Sequence, residues 1–372
     1  MRLSPQENWH GPDDIRVATH KTIRPNCRLL FGLQKERCLA GWLTTKNYIQ
    51  QIDPRRYHQV IKPEFENTAE LKGMGADTRM CDTSYVLLTA AHNEEANIER
   101  TLQSVVQQSV LPKRWVIVSD NSTDCTDEII QEYAERHDFI KFVRVARPPG
   151  HNFAAKILAF REGYKLLQGV EYGFIGNLDA DISLEPTYFQ QLRQRLAETP
   201  SLGIASGFVY EELNGRLQAR EHNRNHSVPH AAQLVRRKCY EAIGGYAILK
   251  FGGEDTHASA SARMKGWQAR SFPDLKIYHQ RHTGNRGGQL RSFFRQGQME
   301  YHLGYDVLFE ILKCIGRMRE RPFFVGGFLR LLGFVWPPIQ RDKRVVTEEF
   351  VAFTRKEQRR RLSSFFVSRR NP

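Results

Sequence analysis

Two short acidic clusters carry the chemistry that this sequence can do. Asp179-Ala180-Asp181 ends the apolar run Tyr172 to Asn177, so two carboxylates emerge where a strand opens and can share a hard cation that itself grips phosphate oxygens. A strand-end turn and a helix cap use the same residue types, and local sequence leaves both uses open. Phe251-Gly252-Gly253-Glu254-Asp255 sets an acidic pair after a glycine-loosened turn and before the small-residue run Ala258 to Ala262. A carboxylate there can act as a general base, taking the proton of an acceptor hydroxyl, or can simply suit a helix N-terminus. His279, within Tyr278-His279-Gln280-Arg281-His282, follows a short strand-like run, and taken alone suits a core or surface histidine as well as a ligand. Lys156 has the charge and reach to meet a phosphate, and equally the character of a solvated helix residue.

The elements that must position these groups follow from periodicity. Tyr85 to Thr89 predicts a short buried strand and Glu94 to Gln108 a helix, with Ile98, Leu102, Val105 and Val106 at helical spacing. Trp115 to Val118, Lys141 to Val145 and Tyr172 to Asn177 predict further strands, separated by helices over Thr126 to His137 and Phe153 to Leu167. This alternation implies an α/β fold, a mainly parallel, doubly wound sheet with helices on both faces. Ligands of such sheets bind at the carboxyl ends of the strands, where Asp120, Asp124, Asp179 and Asp181 fall. No GxGxxG or GxxxxGK[ST] follows the first strand, which argues against a dinucleotide enzyme or a P-loop ATPase.

Thr89-Ala90-Ala91-His92-Asn93-Glu94, Val118-Ser119-Asp120-Asn121-Ser122-Thr123-Asp124, Asn177-Leu178-Asp179-Ala180-Asp181 and Gly253-Glu254-Asp255 occur in the order, and at about the separations, of family 2 glycosyltransferases of the GT-A fold. The resemblance covers about residues 84 to 285. It implies an inverting transferase that moves a sugar from a nucleotide diphosphate, UDP-sugars first and GDP-sugars next, to a glycan or lipid-linked acceptor, with Mn²⁺ or Mg²⁺ as cofactor. By the same resemblance Asp120 lies beside the nucleotide base, and Thr89, Ala91, Glu94, Lys156, Asp179 and Arg281 belong to the nucleotide-sugar site. Asp181 is then the principal metal ligand, with Asp179 and His279 beside it, and Asp255 is the base, next to Glu254. Ser119 and Asn121 depart from the family's usual two aspartates before Gly-Ser, which bears on base preference.

Composition sets the frame around this. A formal charge of +14 in 372 residues implies attraction to something anionic: nucleotides, a membrane surface or nucleic acid. The six cysteines show no CxxC pair and no metal-ligand spacing. Nucleotidyltransferases share an acidic doubly wound sheet but open with a glycine-rich basic loop, where this chain has His92-Asn93-Glu94-Glu95. Zinc-finger, homeodomain, RRM and KH signatures are lacking, so no specific nucleic-acid partner is expected. Three regions result: an N-terminal extension over 1–83, a catalytic domain over 84–285, and a basic, mainly helical extension over 286–372. Met1 to Trp9 has no apolar core, which fits a cytoplasmic setting. Phe323 to Ile339 is interrupted by Arg330 and closed by Pro337-Pro338; it is too short and too broken to span a bilayer, and suits either a buried helix or one lying on an anionic leaflet. His222, His226 and His230, spaced by four with Pro229 between, are expected on a loop at the acceptor side.

Overall fold

The computed structural model describes residues 82–146, 154–213, 216–220, 223–280, 288–320 and 322–368. The first 81 residues, and Arg281 with its neighbours, lie outside them. Strands β1 (Tyr85–Ala91), β2 (Arg114–Asp120), β3 (Ile140–Val145) and β4 (Phe174–Leu178) form the parallel half of one sheet, in the order β3-β2-β1-β4. Helices α1 (Ile98–Val106), α2 (Thr126–Arg136) and α3 (Ala154–Lys165) connect them, as the alternation predicts.

Both faces of this half are covered, and the sequence of β1 shows why. Tyr85 and Leu87 join one apolar cluster with Ile98 and Leu102 of α1, while Val86 and Leu88 join another with Ile157 and Phe160 of α3. A strand buried on both sides needs a continuous apolar run rather than alternation. Tyr85-Val86-Leu87-Leu88 supplies one.

The remaining strands are β5 (Ile182–Leu184), β6 (Leu202–Leu213), β7 (Arg216–Ala219), β8 (Ala232–Arg236) and β9 (Gln268–His279). They extend the sheet to nine strands, in the path β4-β8-β6-β9-β5 with β7 beside β6. Here β8 runs antiparallel to β4 and β6, while β9 is parallel to β6 and antiparallel to β5. The sheet is therefore mixed, a correction to the mainly parallel expectation that leaves the rim of β1, β2 and β4 where it was placed. Helices α4 (Tyr188–Glu198), α5 (Arg237–Ala242) and α6 (Glu254–Met264) pack around this half. Four more follow: α7 (Gln289–His302), α8 (Val307–Arg317), α9 (Val325–Ile339) and α10 (Glu348–Ser368).

Helix α9 crosses α7 at a pair of glycines. A Cβ on Gly297 would sit 1.9 Å from the Arg330 carbonyl oxygen, and one on Gly333 would sit 1.9 Å from that of Phe294. Only hydrogen at both positions permits this approach. Arg330, the charge that interrupts the apolar run, points into the contact and lies 3.5 Å from Glu300. Among the described residues no helix is long and apolar enough to cross a membrane.

Candidate active site

The loops after β1 and β2 lock one another. Asn93 takes a positive φ of 54° and accepts a hydrogen bond from the Thr123 backbone N–H through its side-chain oxygen, at 2.8 Å. The Glu95 carboxylate accepts from the Cys125 N–H, and Asp124 accepts from the Glu95 N–H and from both donors of Thr126. The Glu94 N–H donates to the Thr126 hydroxyl at 2.7 Å, and its side chain is buried. The helix expected from Glu94 starts at Ile98 instead, because Glu94 to Asn97 belong to this interlock. Asp120 sits at the end of β2, its carbonyl 2.5 Å from His92 Nδ1. Thr89 and Ala91 are buried on the sheet face, and the Thr89 hydroxyl accepts from the Trp115 indole at 2.9 Å. Their side chains serve the core, so only their backbone can face a ligand.

The two acidic clusters meet across the rim. Lys156, on the first turn of α3, donates to Asp179 Oδ1 at 2.6 Å. Burial works against its charge, but Asp179, Glu254 and Asp181 together outweigh that and hold the ammonium above its ordinary pKa. Gly252 and Gly253 have φ of 84° and 93°, a turn that side-chain-bearing residues avoid, and Gly253 caps α6 so that Glu254 and Asp255 open it. Asp255 Oδ1 accepts from the Thr256 N–H at 2.6 Å. Burial pushes both carboxyls upward; the bonds from Thr256 pull Asp255 partly back, and Lys156 does the same for Glu254. An aspartate so tuned moves toward the range in which a base works near neutral pH.

Asp181 is buried, with its carboxylate 3.5 Å from His279 Nε2; the other ring nitrogen of His279 lies 3.9 Å from Glu211. Strand pairing imposes this. Ile182 opposes His279 between β5 and β9, and Glu211 opposes His279 between β6 and β9.

A family model described as glycosyl transferase family 2 matches residues 87–256, the stretch from β1 to the first turn of α6. Those 170 residues, just under half of the chain, are similar to glycosyl transferase family 2. Poly-β-1,6-N-acetyl-D-glucosamine synthase of Staphylococcus aureus (strain COL) is 28% identical over 312 residues, 79% of this chain and 69% of that protein. The synthase of the same name from Staphylococcus epidermidis is 32% identical over 120 residues, 32% of this chain and 27% of that protein. Among solved structures, a mannosyltransferase from Pyrobaculum calidifontis aligns with a TM-score of 0.43 and 15% identity over 73% of this chain and 72% of its own. S. aureus TarS 1-349 aligns with 0.45 and 14% over 68% and 71%.

The matched stretch holds the acidic clusters of the rim, which can be tested for a cation. Among the described residues no three His, Cys, Asp or Glu side chains stand together as a ready ligand set. Asp181 and His279 make a pair that fits a divalent ion whose remaining positions are filled by phosphate and water, while Asp179 is engaged by Lys156. Of the residues near the clusters, Glu211 has no assigned role in the sequence, and His230 is expected there only on a loop at the acceptor side. Arg295 of α7 faces Glu254 electrostatically. His230 is buried against Phe160 and Tyr246, with Nδ1 4.0 Å from Glu254 and neither ring nitrogen hydrogen-bonded. Burial and then Lys156 push its pKa well down, so it is neutral. The loop expected at His222 to His230 continues directly into β8, which places His230 beside the site; His222 and Arg281 lie outside the described residues.

Proposed function

We propose that this glycosyltransferase moves a sugar from a nucleotide diphosphate, UDP-sugars being the favoured donors, to a glycan or lipid-linked acceptor by a single inverting displacement. The observation that carries the reading is the meeting of Lys156, Asp179, Asp181, Glu254 and Asp255 on one rim. Transfer builds positive character at the anomeric carbon and negative charge on the departing diphosphate, and each needs its own stabiliser. Asp255 takes the proton of the acceptor hydroxyl, and its upward-shifted pKa suits that task. Lys156 turns from Asp179 toward the phosphates. Asp181 and His279 would hold Mn²⁺ or Mg²⁺, which supplies positive charge at the leaving diphosphate. Asp120 and Glu94 shape the nucleotide pocket, with the backbone of Thr89 and Ala91; Arg281 belongs to the diphosphate side.

The Staphylococcus relatives bear the name of a β-1,6-N-acetylglucosamine polymer synthase, which supports UDP-N-acetylglucosamine as the first donor to try and a polysaccharide as product. A cytoplasmic setting against an anionic membrane belongs to the same reading, with no specific nucleic acid among its partners.

The test is release of nucleoside diphosphate from UDP-, GDP- and dTDP-sugars with Mn²⁺, Mg²⁺ or chelator, for wild type, Asp181→Ala and Asp255→Asn. Metal-dependent release lost in Asp181→Ala is expected. Asp255→Asn should bind donor normally and transfer about 10²- to 10⁴-fold more slowly. Asp255→Asn turning over at the wild-type rate removes the base assignment; neither release nor nucleotide binding from any donor removes the reading altogether.

A further inference from the structure

The helices after the catalytic sheet leave an apolar face uncovered. Seventeen large apolar side chains are exposed among the described residues, and thirteen of them fall between Val307 and Val345. On α8 they are Val307, Leu308, Ile311 and Ile315, one stripe at helical spacing. On α9 they are Val325, Phe328, Leu332, Val335, Trp336 and Ile339, again on one side. The opposite side of α9, with Gly327, Arg330, Gly333 and Phe334, is buried against α7 and α8. Between the two helices Phe323 and Phe324 are exposed, Phe324 at 69% and with a φ of 63° that a bulky side chain rarely adopts. Thirteen side chains exposed by 36–69% present on the order of 1,000 Å², against the few hundred that a soluble monomer ordinarily shows.

The charges around this face select its partner. Within α8 and α9 Glu310 is the sole carboxylate, and it is fully buried with Lys313. The Arg330 guanidinium is turned inward, so it does not interrupt the outer face. In the turn, Glu320 is matched by Arg317 at 3.7 Å, while Arg319 is exposed. Beyond α9, Arg341 and Lys343 are exposed and Asp342 is engaged by Lys250. The rim is thus net cationic, on a chain of formal charge +14. Such a chain repels a second copy of itself and is attracted to an anionic leaflet. At 15 residues α9 is about 22 Å long, short of a bilayer core of about 30 Å.

We propose that the α8–α9 hairpin is an interfacial anchor that lies flat on an anionic bilayer, with its phenylalanines and Trp336 in the acyl boundary and Arg319, Arg341 and Lys343 at the headgroups. This names the surface and side chains of the membrane setting proposed above. Its test needs no donor sugar, so its failure is separable from failure of the transfer reading.

The full chain is sedimented with sucrose-loaded vesicles of phosphatidylcholine alone, or of phosphatidylcholine with 30% phosphatidylglycerol as a probe composition of about one anionic lipid in three. Binding to the anionic vesicles only is expected. Phe328→Glu with Trp336→Glu should cut it at least tenfold, and Arg341→Glu or Lys343→Glu at least about fivefold each, with circular-dichroism melting checking that each variant is folded. Absence of binding, equal binding to both vesicles, or binding that the folded glutamate pair leaves unchanged overturns the proposal. A dimer in analytical ultracentrifugation that the glutamate pair dissociates assigns the face to a second copy and overturns it as well.

Discussion

Replacing Lys156 by Met keeps the length of the side chain and removes an ammonium that Asp179, Glu254 and Asp181 all face. At 2.6 Å from Asp179 the pair is worth about 6 kcal/mol of gross attraction at an effective dielectric of about 20. Each side chain is about a quarter exposed, and the ammonium's own desolvation cost disappears with it, so the net loss at pH 7.5 should be about 2–3 kcal/mol, below the 3–5 of a fully buried pair. For a chain of 372 residues that is a fall of about 3–4 °C in Tm. The loss must depend on pH. Burial already raises the Glu254 carboxyl, and without Lys156 it rises further. A group whose folded pKa is raised loses stability as pH climbs through that value, so the deficit should be largest near pH 8 and shrink toward pH 5. Differential scanning fluorimetry of both proteins from pH 5 to 8 reads this directly. A deficit of the same size at every pH, or none at all, would refute the electrostatic coupling of the two acidic clusters.

Gly333→Ala drives a Cβ into the backbone of Phe294, whereas Gly316 on α8 has nothing within 4 Å of its Cβ position. The first should cost at least about 2 kcal/mol by overpacking and the second should stabilise by up to about 1 kcal/mol, both measured by urea unfolding. Burial and Glu300 push the Glu310 carboxyl up to about 7 from its ordinary 4.5. Wild-type stability should therefore fall by at most about 3 kcal/mol as pH rises across that window, while Glu310→Gln should show a flatter profile; parallel profiles from pH 5 to 8 would contradict this. His230→Phe preserves the ring contacts with Phe160 and Tyr246 and removes two buried nitrogens without hydrogen bonds. Its Tm should match or exceed wild type, the gain being about 1 kcal/mol; a loss would mean that the imidazole is held by a partner in solution.

The parallel half of the sheet was legible because its signals are local. Each β–α unit fits within about thirty residues, and Tyr85-Val86-Leu87-Leu88 or Trp115-Val116-Ile117-Val118 announces a strand buried on both faces. The mixed half was not, because its pairings are distant: β4 finds β8 across 54 residues from Leu178 to Ala232, and β6 finds β9 across 65 from Ala205 to Arg270. The site divides along the same line. Asp179, Asp181, Glu254 and Asp255 sit in or directly after turns whose composition marks them, but Glu211 has no mark of its own and meets His279 only through the β6–β9 pairing. For His230 a signal existed in Ala231-Ala232-Gln233-Leu234-Val235, a short apolar run that becomes β8 and sets the histidine beside the strand bearing the aspartates; its spacing from the two earlier histidines drew attention to the wrong neighbours. Arg330 shows the limit of one-dimensional reading most clearly. Whether a charge within an apolar run faces water or protein depends on its partner, and Glu300 lies thirty residues upstream on a helix brought close by Gly297 and Gly333. Once that crossing turns the arginine inward, the outer side of α9 is left without a charge: the inner face takes the buried alternative, and the outer face is the one proposed to lie on a membrane.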